Sequence, residues 1–176
     1  MTKRFLKAVK YTFEHEGGYN HIKEDRGGAT NFGMSFNLLK LLKLDVNKDG
    51  VVDINDIKEL TMEQAEDIYY NNFWRPAYEV FHEKVGIKVF DVAVNAGHKR
   101  AHILLQRALN KLGERVVEDG MLGRETIGTV SKYTEAQVLE KYCEVQADFY
   151  NDIVKRNPSQ RKFINGWLNR AAWKPK

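Results

Sequence analysis

Thr2-Lys-Arg-Phe5-Leu6-Lys-Ala8-Val9-Lys-Tyr-Thr12-Phe13-Glu14-His15-Glu16-Gly17-Gly18 is the stretch on which the reading of the chain turns. Phe5, Leu6, Val9 and Phe13 recur at helical spacing and predict an amphipathic helix with Thr2 as its cap. Gly17-Gly18 stops it, because glycine readily takes the left-handed turn that ends helices. Seven residues make nearly two turns, so Glu16 falls almost in line with Val9 on the buried stripe, and Glu14 points toward water. A carboxyl at Glu16 is then partly desolvated at the negative end of a helix. Both effects disfavour the anion and raise the pKa. Such a group can hold its proton near neutral pH and donate it to a leaving oxygen. It can equally be a buried-edge glutamate bonded to the next loop.

Working outward, Tyr19 to Gly33 is rich in Gly, Asn and Asp and reads as an ordered loop. A leucine-rich helix follows over Asn37 to Leu44. Thr61 and Gln64 have capping-box spacing and open a helix to about Phe73, ended by Trp74-Arg75-Pro76. The apolar run Gly86 to Ala96 predicts a buried helix closed by Gly97, and Lys99 to Asn110 an amphipathic one. A turn-rich stretch, Glu118 to Gly123, comes next. Thr134 and Gln137 form a second capping box, opening a long helix to about Arg156 with Cys143 on its buried stripe. Pro158 separates a last helix carrying Phe163, Ile164, Trp167 and Leu168. Apart from a short strand pair around the loops, no alternating runs occur. The class is all-α, with an internal division near residues 95 to 98.

The loop after Glu16 carries chemistry. In Asp25-Arg-Gly-Gly-Ala-Thr30-Asn31-Phe-Gly33 the glycines allow tight turns and close approach to a ligand. Asp25 can stabilise an oxocarbenium-like transition state or activate water. Thr30 and Asn31 can hold a water or a sugar hydroxyl, or merely organise the loop. Tyr19 can stack on a sugar ring or simply pack. Asp91 and Asn95, four apart on one face of the apolar helix, either tie it to the Asp25 loop or line a cleft. His98 and His102 read as surface histidines, and Trp74 as core.

His15-Glu16-Gly17-Gly18-Tyr19 followed by Asp25-x-Gly-Gly28-x-Thr30-Asn31-x-Gly33 resembles the signature of glycoside hydrolase family 108, N-acetylmuramidases of phage-type endolysins also labelled secretion activators. The likeness continues through Trp74-Arg-Pro76, Phe90-Asp91-Val-Ala-Val-Asn95-Ala-Gly97, Leu105-Gln106-Arg107-Ala108-Leu109, Asp119-Gly120-x-Leu122-Gly123 with Thr126, and Gly166-Trp167-x-x-Arg170. It implies a lysozyme-like catalytic region over 1–96 and a helical peptidoglycan-binding region over 97–176. It also implies cleavage of the β-1,4 bond between N-acetylmuramic acid and N-acetylglucosamine, with Glu16 as the catalytic glutamate. Asp25 and Thr30 join it as catalytic candidates, and Tyr19, Asn31 and Asn95 as substrate-binding ones. The rivals are a lytic transglycosylase on the same bond and a non-enzymatic wall-binding or secretion-related protein. Retention or inversion depends on carboxylate spacing, about 5–5.5 Å against about 6.5–9.5 Å.

Asp45-Val-Asn47-Lys-Asp49-Gly50-Val51-Val52-Asp53-Ile-Asn-Asp56 fits the twelve-residue EF-hand pattern. Oxygen-bearing side chains fall at positions 1, 3, 5, 9 and 12, a glycine at 6 and the Val51 carbonyl at 7. A structural calcium ion held by Asp45, Asn47, Asp49, Val51, Asp53 and Asp56 is the expectation, and no organic cofactor. Asp56 stands where a bidentate glutamate is usual.

The net charge of +4, from 28 basic and 24 acidic residues, suits an anionic wall and is too weak to indicate nucleic acid. One cysteine excludes an intramolecular disulfide. Lysines break every apolar run near the start, so a signal-peptide core is missing, and no stretch is long enough to span a bilayer. The chain is therefore expected to be made in the cytoplasm and to act in the periplasm or cell wall after export by a holin or a secretion system.

Overall fold

The computed structural model describes residues 1–16 and 30–176, and for residues 14–16 the backbone alone. Tyr19 and Asp25 lie outside the described residues, as does the side chain of Glu16. The described residues are all-α apart from one two-stranded ribbon. Contacts divide the chain into two units, Met1–Trp74 and Arg75–Lys176.

The first unit begins with α1, Lys3–Glu16; Gly17 and Gly18, expected to stop it, lie outside the described residues. Its buried stripe is Phe5, Ala8, Val9 and Thr12. Leu6, expected on that stripe, is exposed: one residue from Phe5 is a 100° turn, which carries it off the face. Then come β1, Thr30–Asn31, and β2, Met34–Ser35, paired antiparallel, and α2, Phe36–Leu42, capped by Ser35. Helix α3, Ile54–Glu59, and helix α4, Met62–Phe73, complete the unit, and the Thr61/Gln64 capping box is present in full. Phe5 meets Tyr70 and Trp74 edge-on, at 5.0 and 5.5 Å between centroids, which docks α1 on α4. Trp74 is core, as read.

The second unit contains two short helices that periodicity did not reveal, α5, Pro76–Val80, and α8, Arg124–Val130. Pro76 occupies the first turn of α5, where a missing N–H costs nothing. Around them lie α6, Glu83–Ala96, α7, His98–Lys111, and α9, Glu135–Arg156. A 3₁₀ helix, Pro158–Phe163, leads into α10, Ile164–Ala172. Helix α6 is buried on every side from Val85 to Ala93 and packs against α5, α7 and α9. An all-round apolar helix belongs in the middle of a bundle. Its contacts therefore group Arg75–Ala96 with the C-terminal helices, whereas the sequence reading drew its division at 96/97.

Gly86 is where α5 and α6 touch: a Cβ there would collide with the Tyr78 carbonyl. Gly86→Ala is expected to cost about 1–3 kcal/mol, as overpacking does. At about 2–4 °C per kcal/mol for a chain of this size, a thermal melt resolves it. An unchanged Tm would show that the backbones can part without cost.

Candidate active site

The last turn of α1 is held beside the hairpin by an aromatic cluster. Phe13 lies 5.5 Å from Phe32 at the hairpin tip and 6.0 Å from Tyr69 of α4, and the Tyr69 hydroxyl donates to the Phe32 carbonyl at 3.2 Å. Phe32 and Gly33 both have positive φ, 50° and 74°, as a two-residue type I′ turn requires. A left-handed phenylalanine is costly, and such outliers persist only where surrounding contacts over-determine them, often at functional sites. Here the contacts are Tyr69 and Phe13.

Thr30 sits on the strand, half-buried. Asn31 is buried, and its amide donates to the Ile57 and Leu60 carbonyls at 3.0 and 3.4 Å, pinning the hairpin to the end of α3. Phe13, in the last turn of α1, and the hairpin tip are therefore neighbours. The role of Tyr69 and Phe32 escaped the sequence reading, although the glycine at the hairpin tip, Gly33, is a local signal of a tight turn.

The twelve-residue loop has the EF-hand turn at Gly50, φ 91°. The Asp45 carboxylate accepts from the Asp49 and Gly50 N–H groups, and Asn47 and Asp49 bond to each other. Asp53 caps α3 through Asn55, and Val51 is exposed. Asp56 is fully buried: Oδ1 accepts from the Val46 and Asn47 N–H groups and Oδ2 from that of Asp53. Of about four lone-pair positions on a carboxylate, one on Oδ2 stays available. The carboxylates at positions 1 and 12 are thus engaged by the loop's own backbone N–H groups. Among the described residues no three His, Cys, Asp or Glu side chains converge as a ligand cluster.

Asn95 and Asp91 face the C-terminal helices. Arg170 of α10 grips Asp91 through Nη2 at 2.8 Å and Nε at 3.3 Å, and the Tyr150 hydroxyl donates to Asn95 Oδ1 at 3.1 Å. Asn95 itself is exposed.

In the second unit, α7 clamps the Asp119–Gly123 loop. The amide of Gln106 donates to Asp119 Oδ1 and to the Met121 carbonyl, and its Oε1 accepts from the Gly120 N–H. His102, expected on the surface, is buried between Tyr78 and this loop. Its Nδ1 donates to the Gly120 carbonyl at 2.9 Å, which leaves Nε2 to accept from the Tyr78 hydroxyl at 2.8 Å. A hollow of about 570 Å³ lies against the same loop, lined by Pro76, His102, Met121, Leu122 and Ile127 among others.

Burial pushes the His102 pKa down, against the opposing pull of the Gly120 carbonyl. Its share of stability is therefore complete above the unfolded value of about 6.5 and is lost as pH falls through the lower folded value. His102→Gln is expected to flatten the decline in denaturant stability below about pH 6.5. An identical slope in the variant would remove His102 from the acid response.

A family profile described as "Glycosyl hydrolase 108" matches residues 9–97, and one described as "Predicted Peptidoglycan domain" matches residues 100–172. Among solved structures, SagA of Brucella abortus is similar, with a TM-score of 0.76 and 28% identity over 96% of this chain and 89% of that one. No curated protein matches.

Proposed function

Since the chain belongs to the glycosyl hydrolase 108 family, we propose that it is an N-acetylmuramidase, a glycosidase of peptidoglycan that cuts the β-1,4 bond between N-acetylmuramic acid and N-acetylglucosamine. The carrying observation is the join between the last turn of α1 and the hairpin, made by Phe13, Phe32 and Tyr69 inside the family-matched segment. It supports a reading in which Glu16, three residues after Phe13 in the same helix, works near the hairpin. The negative field of a helix C-terminus disfavours a carboxylate anion there.

In the reaction, the Glu16 carboxyl passes its proton to the glycosidic oxygen as the bond from C1 to that oxygen breaks. The positive charge that develops at C1 is met by a water, or first by a carboxylate. Asp25 or Thr30 orients that water, and its proton leaves through Asp25 as base. Tyr19 completes the glycan contacts in this reading, and Asn31, expected to join it, holds the hairpin to α3 instead.

Mass spectrometry of digested sacculi tests the bond and the chemistry together. Hydrolysis leaves reducing N-acetylmuramic acid ends. Anhydro-muramic ends would replace this reading with a lytic transglycosylase, and reducing N-acetylglucosamine ends would move the cut to the other linkage.

Two further parts of the proposal stand separately. The Asp45–Asp56 loop is a calcium clamp that stiffens the link between α2 and α3. Calcium is expected to raise the Tm of the wild type and not of Asp49→Ala, with calorimetry detecting one site. If neither calcium nor chelator moves the Tm, the loop is a hydrogen-bonded turn. Delivery to the wall by a holin or a secretion system is the other part; no described helix is long and apolar enough to cross a membrane.

A further inference from the structure

The C-terminal end of the second unit has a surface that the catalytic reading leaves unused. From Ile153 to Lys176 the sequence has seven lysines and arginines and no aspartate or glutamate, so the rest of the chain is net acidic. Two rings of this segment, Trp167 and Phe163, stack in a row with Tyr150, just before it. Tyr150 lies 5.4 Å from Trp167 at 26°, and Trp167 lies 5.7 Å from Phe163 at 30°. The row runs from a buried Tyr150 to a Phe163 that is 45% exposed. Its inner end is rigid, because the Tyr150 hydroxyl accepts from Gln146 and donates to Asn95. At its outer end Lys162 lies 4.9 Å over the Phe163 ring, and Arg161 is exposed beside it.

Gly166 is the second observation. It lies inside α10, exposed, next to Trp167. Its φ is ordinary, and a Cβ there would meet nothing within 4 Å. Neither backbone nor packing calls for glycine, which costs a helix interior about 1 kcal/mol relative to alanine. What the missing side chain does provide is open approach to the helix surface beside the ring row.

We propose that Phe163, Trp167 and Gly166, with Arg161 and Lys162, form the docking surface for peptidoglycan. The apolar C–H faces of the sugars pack on the rings, and the basic side chains meet the carboxylates of the stem peptides. This rests on peptidoglycan being the substrate, and it adds where the polymer is gripped. Aromatic anchors with charged neighbours are the usual composition of a binding hot spot. The all-basic segment supplies the charge complementarity that selects an anionic polymer over a neutral one.

The test is cosedimentation of the full-length chain with purified sacculi at 4 °C, against chitin as a neutral glycan of the same linkage. Phe163→Ala and the double variant Arg161→Glu/Lys162→Glu are each expected to weaken sacculus binding roughly tenfold at low salt. The effect of the charge reversal is expected to fade near 1 M salt, where charges are screened beyond about 3 Å. Gly166→Ala is expected to raise the Tm and to weaken binding, a pairing that a purely structural glycine would not give. Lys40→Glu/Lys58→Glu, the same charge change in the first unit, is expected to bind as wild type. Variants that bind within about twofold of wild type, or chitin held as tightly as sacculi by the wild type, would overturn the proposal. Failure of the enzyme reading shows differently, as wild type that binds sacculi and releases no sugar.

Discussion

Glu16→Gln is expected to keep the fold and to slow clearing of purified sacculi by about 10²–10⁴-fold, the usual worth of a general acid. Glutamine has the shape of glutamic acid and can hydrogen-bond to the glycosidic oxygen, but it has no proton to give at working pH. Its neutral amide also relieves whatever charge the helix terminus disfavours, so stability should hold or rise slightly. Glu14→Gln is the matched control, since helical periodicity turns that residue away from the stripe. Its rate should stay near that of the wild type. The wild-type rate should fall on the alkaline side, because the acid acts only while protonated. The raised pKa expected at a desolvated helix end moves that limb upward. Release of reducing ends, followed against pH for all three proteins, checks the set. A Glu16→Gln protein with full activity would remove the general acid and, with it, the proposed mechanism.

Lys88→Met is expected to destabilise the second unit by about 3–5 kcal/mol, the cost of breaking a buried, hydrogen-bonded charge. Lys88 is fully buried in the middle of α6, and its ammonium donates to the carbonyls of Arg170, Ala171 and Trp173 at 2.7, 3.2 and 2.8 Å. Three donors meet three acceptors at the C-terminus of α10, where a cation is favoured. Methionine fills the space and strands all three carbonyls. Burial lowers the Lys88 pKa, and Asp91 opposes it. The folded state then holds this proton less tightly than the unfolded chain. The linked contribution therefore rises with pH from the lowered value to about 10.4, and Lys88→Met should abolish that slope. At about 2–4 °C per kcal/mol, the Tm should drop by at least several degrees. Hydrogen exchange should show α10 opening first. A variant less than about 1 kcal/mol weaker would mean that packing alone seats the last helix.

Much of this was legible in the linear order of residues. The capping boxes at Thr61/Gln64 and Thr134/Gln137 and the apolar run of α6 each act through neighbours a few residues away. The ordered motifs that identify the family are likewise local. The short helices α5 and α8 carried too little periodicity to register, and Leu6 was assigned to a stripe from which a 100° turn removes it.

The sequence by itself determined the helical class, the family and the candidate acid, because helix periodicity, caps and short motifs are written within a few turns of chain. Only the tertiary structure decided which buried polar groups meet. Lys88 finds carbonyls more than eighty residues away, Asp91 finds Arg170, and His102 joins Tyr78 to Gly120. It also decided that Arg75–Ala96 packs with the C-terminal helices. The physical reason is common to all of these. A buried polar atom must be paired, but its partner is chosen by whichever distant element the core brings within about 3 Å, and no pattern of neighbouring residues encodes that choice.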